Sequence, residues 1–136
     1  MDLLESVAAK LHEGWMVYQK SNGREFGPER NEKTHPHMLS WEKLSETGCE
    51  IETLNQDRFQ AALILDAYRQ KKITRESLPE FIHSSWVTWE ELHHVSGKAL
   101  HKHAYSYRFV HIDGAQEHEV QATLVWDLIT QNLQEA

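Results

Sequence analysis

Val7-Ala8-Ala9-Lys10-Leu11-His12-Glu13-Gly14-Trp15 and Leu78-Pro79-Glu80-Phe81-Ile82-His83-Ser84-Ser85-Trp86 follow one pattern, 71 positions apart. An aliphatic residue, an aliphatic-histidine pair and a tryptophan recur at steps of three and four, which gathers them on one face of a helix. Downstream, Phe59 to Asp66 (FQAALILD) and Val120 to Asp127 (VQATLVWD) echo each other at an offset of 61, in the same order in both halves. Such periods decide architecture, because a repeat unit often cannot bury its apolar face alone. The expected fold is mainly α (α+β), built as a tandem repeat. It forms a single compact domain over 1–136, with repeat 1 at about 1–72 and a diverged repeat 2 at about 73–136. A third match, SWEKL from Ser40 against TWEEL from Thr88, runs at an incompatible offset.

Working outward, Leu4, Val7, Leu11, Trp15 and Tyr18 predict a helix from Leu3 to about Tyr18. Asn22-Gly23 and Gly27-Pro28 punctuate a polar stretch, Lys20 to His37, that reads as a structured loop with room for a short strand pair. Ser40 to Leu44 followed by Gly48 predicts a short helix with a serine cap and a glycine stop. A second long helix is expected from a capping box at Thr53–Gln56 to Lys71-Lys72, and a third from a box at Ser77–Glu80 with Pro79 just inside it. That third helix either runs on to Val95 before Gly97 or is recapped at Thr88. Tyr105 to Ile112 reads as a strand entering a turn at Asp113-Gly114, and the final helix carries Val120, Leu124, Val125, Leu128 and Ile129, with Asp113 and Gln116 able to cap it.

Composition narrows the function classes. The chain has 136 residues, a formal charge of −7, ten histidines, five tryptophans and one cysteine. It is long enough to bury a core and too low in Gly and Pro for a disordered or collagen-like chain. A lone Cys49 closes no intramolecular disulfide, and acids stand where a signal peptide has its basic region, so the expected setting is cytoplasmic. No apolar run approaches the roughly 18 residues of a membrane span, and the acidic balance argues against DNA or RNA polymers. Protonating all the histidines would reverse the sign of the net charge near pH 6.5.

Five blocks then point to a family: Leu11-His12-Glu13-Gly14-Trp15, Gly23-Arg24-Glu25-Phe26-Gly27-Pro28-Glu29-Arg30-Asn31, Lys33-Thr34-His35-Pro36, Leu44-Ser45 and Asp57-Arg58. Together they resemble the ryanodine receptor repeat domain, which occurs in tandem in the calcium-release channels and as free-standing or fused modules in bacteria and phages. The resemblance covers about residues 4–70, and the second half shares the helix ending at Trp86 and Lys102-His103. Arg24 stands where the family usually has an aromatic, Phe26 where it has Tyr, Asn31 where it has Asp, and Ser40-Trp41 where it has Pro-Tyr. An insertion around Gly48-Cys49 lengthens the path to Asp57.

The resemblance implies two pseudo-symmetric helical-hairpin repeats around a pseudo-two-fold, with short β-strands in the connecting loops and a cleft between the halves that accepts an adenine nucleotide bracketed by Trp15 and Trp86. Base stacking on such rings contributes about 1–3 kcal/mol per base. Lys20, Arg24, Arg30 and Lys33 are the candidate phosphate anchors, with His35 in the same motif. Basic residues collect there: residues 1–72 carry 10 basic and 12 acidic side chains, against 4 and 9 in the remainder.

Blander readings stand beside these. Trp15 and Trp86 are equally read as core aromatics, and His12 and His83 as hydrogen-bonding posts that fix each helix to the next segment. Trp41, Trp89 and Trp126 read as packing. His93, His94, His101 and His103 lack the accompanying cysteine or H-E-x-x-H pattern of a zinc site, and adjacent helical histidines diverge by about 100°, so neither metal nor cofactor is expected. Cys49 lies among acids and lacks the surroundings that activate a thiol. No nucleotide-binding glycine loop or nucleophile elbow is present.

The expectation is a non-enzymatic binding module for an adenine-containing nucleotide or nucleotide-derived signal, acting as a sensor or sequestering protein. A homodimer or a larger host protein is left open. The alternative is a protein-interaction or scaffold module with no small-molecule ligand, and a nucleotide hydrolase ranks third.

Overall fold

The computed structural model describes residues 2–27, 29, 33–35, 38–47, 51–92 and 112–133. Five helices account for most of them: α1 (Leu3–Ser21), α2 (Trp41–Thr47), α3 (Ile51–Arg69), α4 (Leu78–Leu92) and α5 (Ile112–Leu133). Between α1 and α2, β1 (Glu25–Phe26) pairs in parallel with β2 (Thr34–His35), a ladder of two residues on each side. The protein is mainly helical.

Local sequence explains where the helices begin and end. Asp2 caps α1 by accepting from the Glu5 amide at 2.8 Å. At its other end Gly23 takes φ +88°, its amide donates to Lys20 O and the Arg24 amide reaches back to Gln19 O, both at 3.0 Å. That pair of bonds is a Schellman stop, which needs a left-handed residue. The same stop ends α3, with Lys71 at φ 59° between the Lys71–Tyr68 and Lys72–Ala67 backbone bonds. Ser40 caps α2, its hydroxyl accepting from Lys43 N at 3.3 Å.

Two helix starts differ from the sequence reading, and a third, at Leu78 after Ser77 with Pro79 just inside, stands where expected but is capped by different bonds. Helix α3 begins at Ile51, so Thr53 is its third residue and not its cap. Before α4 the reciprocal box belongs to Thr74 and Ser77: Ser77 Oγ accepts from Thr74 N at 2.8 Å and Thr74 Oγ1 from Ser77 N at 3.2 Å. The turn is thus wound one step earlier than Ser77–Glu80, and Pro79, lacking an amide, leaves its rung empty. Helix α5 begins at Ile112 and takes in Asp113 and Gly114, which the sequence reading put in a turn. One glycine in a first turn costs about 1 kcal/mol and does not stop a long amphipathic helix. Helix α4 runs unbroken through Thr88, whose hydroxyl donates to Ser84 O. The strand expected from Tyr105 to Ile112 lies outside the described residues except for Ile112, which is the first residue of α5 and not a strand residue.

Helix α1 packs chiefly on α3 and α5, and α4 packs on the same two, so the four long helices form a ring with α1 diagonal to α4 and α3 diagonal to α5. Val7, Leu11, Ile64, Leu78, Ile82, Val125 and Ile129 fill its centre. Each such side chain contributes about 1.5–3 kcal/mol when fully buried. Helix α2 closes one flank through Leu44 and Trp41, whose indole Nε1 donates to Glu5 Oε2 at 3.2 Å. Glu5 also pairs with Arg58, and the Arg58 guanidinium lies 5.6 Å over the Trp41 ring, tying α1, α2 and α3 together.

Candidate functional site

Helices α1 and α4 present the two tryptophans in the same local setting. Their burial follows one sequence of positions: Val7, Ala8, Leu11, His12 and Gly14 are buried on α1, and Leu78, Pro79, Ile82, His83 and Ser85 on α4. In each case the tryptophan one position further is only partly buried. The Trp15 ring stacks on His12 with centroids 5.6 Å apart, and Trp86 lies 5.9 Å from His83. Neither indole is a full core residue. His12 acts as a post: its Nε2 lies 2.6 Å from Leu39 O, holding the loop that leads into α2.

Helices α3 and α5 contribute polar groups to the interior. Gln60 is buried and its amide nitrogen donates to Ile82 O at 3.1 Å and to Ser85 Oγ at 2.9 Å. Gln121 is buried as well and donates to Leu11 O at 2.9 Å. Each glutamine therefore grips the carbonyl just before the buried histidine of a facing helix. The Gln121 backbone also lies against Gly14, where a Cβ would stand 2.8 Å from Gln121 Cα.

A polar chain extends from Gln121. Its amide group is donating to Leu11, so its oxygen faces His118 Nδ1 at 3.1 Å, and His118 Nε2 lies 3.3 Å from His83 Nδ1. With both rings neutral, these contacts assign the tautomers: His118 donates from Nδ1 and accepts at Nε2, and His83 donates from Nδ1. One hydrogen-bond direction thus runs from α4 through α5 to α1.

Asp57 and Glu117 lie in the same turns of α3 and α5, three and four positions before the two glutamines and so roughly one helical turn from them. Burial holds the Asp57 carboxyl well above the usual carboxylate range, and the nearby Glu117 charge pushes it further. Burial also pushes Glu117 up to about 7. Among the described residues neither carboxylate makes a hydrogen bond or ion pair. Asp57 is buried and Glu117 partly buried, and carboxyls perturbed in this way are candidates for a functional role.

The sequence-predicted basic residues are distributed differently. Arg24 Nη1 donates to Gln19 Oε1 at 3.0 Å, and Gln19 lies one helical turn beyond Trp15 on the same face. Lys20 and Lys33 are exposed. Arg30, and the side chain of His35, lie outside the described residues, as do His93, His94, His101, His103 and Cys49. Sequence reasoning missed Gln60, Gln121, His118 and Glu117, and quoted Asp57 only as part of a family motif. One signal for the glutamines was available, since FQAALILD and VQATLVWD set Gln60 and Gln121 at the same place beside an alanine.

Among the described residues no group of three His, Cys, Asp or Glu side chains converges as a metal site, and no helix is long and apolar enough to cross a membrane. No family model, curated protein or solved structure matches the chain.

Proposed function

We propose that this chain is a non-enzymatic, cytoplasmic binding module of two pseudo-symmetric helical-hairpin repeats with short strands in the connecting loops. It takes an adenine-containing nucleotide or nucleotide-derived signal between the halves, as the resemblance to ryanodine receptor repeat domains implies. The observation that carries the reading is the matched pair of tryptophans, each partly exposed and backed by a buried histidine, on the diagonal helices α1 and α4. The reciprocal grips of Gln60 on Ile82 and Gln121 on Leu11 support the two-fold relation of the halves. In this reading Trp15 and Trp86 stack the base, and Arg24, steadied by Gln19, joins Arg30, Lys33, Lys20 and His35 in holding phosphate or ribose. No DNA or RNA polymer and no membrane is the partner.

Titration with adenine nucleotides followed by tryptophan fluorescence tests this. Saturable quenching that weakens at least tenfold in Trp15→Ala and in Trp86→Ala is expected. No binding in any nucleotide, or normal binding by Trp86→Ala, overturns the two-walled site, and turnover of the nucleotide would replace it with a hydrolase. A protein-interaction module is the second reading, favoured by the exposed apolar side chains Val17, Phe26 and Leu92.

A further inference from the structure

His83 on α4 and His118 on α5 meet in the interior at 2% and 7% exposure, with Nδ1 of the first 3.3 Å from Nε2 of the second and ring centroids 5.3 Å apart. The far end of this contact is fixed. Leu11 O can only accept, so the Gln121 amide turns its nitrogen to Leu11 and its oxygen to His118, at 2.9 and 3.1 Å. His118 Nδ1 therefore carries a proton, which leaves Nε2 as the nitrogen facing His83. Between His118 Nε2 and His83 Nδ1 there is room for one proton and no more.

That count decides how the pair titrates. A first proton taken from solvent settles on His83 Nε2, outside the chain, so a single N–H still lies between the rings and the bond persists. A second proton puts an N–H on both facing nitrogens. Two donors then point at each other and two like charges share a dry interior, so the rings part. His12, at the matching place on α1, has no such limit: its Nε2 donates to Leu39 O, and a proton added at Nδ1 leaves that bond intact. Of two histidines placed alike in sequence, one faces a carbonyl and the other a second titrating ring.

Among the described residues, the ionisable groups bordering the pair on α4 and α5 are Glu80, exposed and one turn before His83, and Glu117 and Glu119 on either side of His118. Glu119 is bound to Arg75 at 3.2 Å. From the helices packed against them come Asp57 on α3, one turn from Gln60, and Glu13 on α1, beside Gly14 and bound to Lys10 at 3.0 Å. Burial holds Asp57 well above the ordinary carboxylate range, with the Glu117 charge adding to it, and raises Glu117 to about 7. Both are mostly neutral in the acid range and do little to offset a second charge on the rings.

Parting the rings releases more than one bond. Gln121 is held by both His118 and Leu11 and packs on Gly14, so a turned His118 ring loosens α5 from α1 as well as from α4. Helix α4 keeps its separate tie to α3, through Gln60 to Ile82 O and Ser85 Oγ. We propose that His83 and His118 form a proton-operated latch, which holds α5 to α4 with up to one proton on the pair and releases it when the second binds. Below the ordinary histidine value of about 6.5 the unfolded chain binds both protons and the folded chain one, so the latch weakens as pH falls.

Histidine side-chain ¹⁵N NMR of the full chain, titrated downward from about pH 8, tests this. The two rings are expected to share two steps, as coupled groups do, with the second at least about one pH unit below the ordinary value. Across that second step the hydrogen-exchange protection of α5 amides falls about tenfold or more, while α3 amides hold theirs. In His83→Asn and in His118→Asn the remaining ring titrates in one step and α5 protection no longer changes over that range. Two independent steps near 6.5 with steady α5 protection overturn the latch, and so does a fall in protection that persists in both variants. The wild-type titration decides the matter even if a variant fails to fold.

Discussion

Gly14 of α1 faces Gln121 of α5 so closely that a Cβ at position 14 would lie 2.8 Å from both the Cα and the Cγ of Gln121. The obstacle is backbone, which cannot swing away as a flexible side-chain tip does. Gly14→Ala therefore pushes α1 off α5 and lengthens the Gln121–Leu11 bond, which spans 110 positions of sequence. The expected loss is about 1–3 kcal/mol, in the range of overpacked interiors. Urea unfolding checks it, and a stability equal to wild type would show that the α1–α5 contact is looser than described.

Gln60→Leu and Gln121→Leu test whether the two grips are equivalent in energy. Each removes a buried donor, and Gln121→Leu also strips the acceptor from His118 Nδ1. Losing one partner of a buried hydrogen bond costs about 1–3 kcal/mol for the group left behind. Gln121→Leu is expected to be the more damaging of the two, since it breaks the chain running on to His83. Thermal unfolding of both variants gives the order directly, and the reverse order would show that the Gln60–Ser85 contact matters more.

These glutamines also mark the boundary of what the sequence discloses. The four long helices were legible because their apolar residues recur at steps of three and four, a signal set by burial of one face and spread over many residues. Helix starts were less legible, as Thr53, Ser77 and Asp113 illustrate: a hydroxyl or acid three residues before Glu or Gln is common inside helices, and only the backbone bonds say which example caps. The tryptophans stood out in sequence by rarity and repetition. Gln60, Gln121, Asp57 and Glu117 did not, because polar residues on a helix ordinarily face water, and only the closing of four helices into a ring turns them inward. Arg24 was selected by charge, and its tether to Gln19 depends on the Gly23 stop that folds the chain back over the end of α1.

Lys71→Gly should stabilise the protein. Lys71 holds φ 59° at the Schellman stop of α3, the place that Gly23 occupies after α1. A side chain in the left-handed region costs roughly 1–2 kcal/mol, partly offset by the greater backbone freedom that glycine has when unfolded. The expected net gain is about 0.5–1 kcal/mol in denaturant unfolding. The opposite exchange, Gly23→Ala, should lose a comparable amount, and a gain there would contradict the positive φ.

The buried acids fix the sign of the pH dependence. Glu117 titrates at about 7 in the folded chain against an ordinary value of 4.5, and Asp57 is shifted in the same direction. The folded state therefore holds more protons than the unfolded state between those values, so stability is greatest below about pH 4.5 for this pair and falls as pH rises through 7. For Glu117 alone the loss between pH 5 and pH 8 is at most about 3 kcal/mol, since one pKa unit corresponds to about 1.4 kcal/mol. Glu117→Gln cannot ionise, so it should flatten this part of the profile and be more stable than wild type at pH 8, with little difference at pH 5. Histidine titration is common to both proteins and cancels to first order in the comparison. The difference between the two stability curves, measured by urea unfolding at half-unit pH steps, isolates the carboxyl. A difference that grows toward low pH instead would mean that Glu117 is stabilised as the anion by a donor in the folded protein.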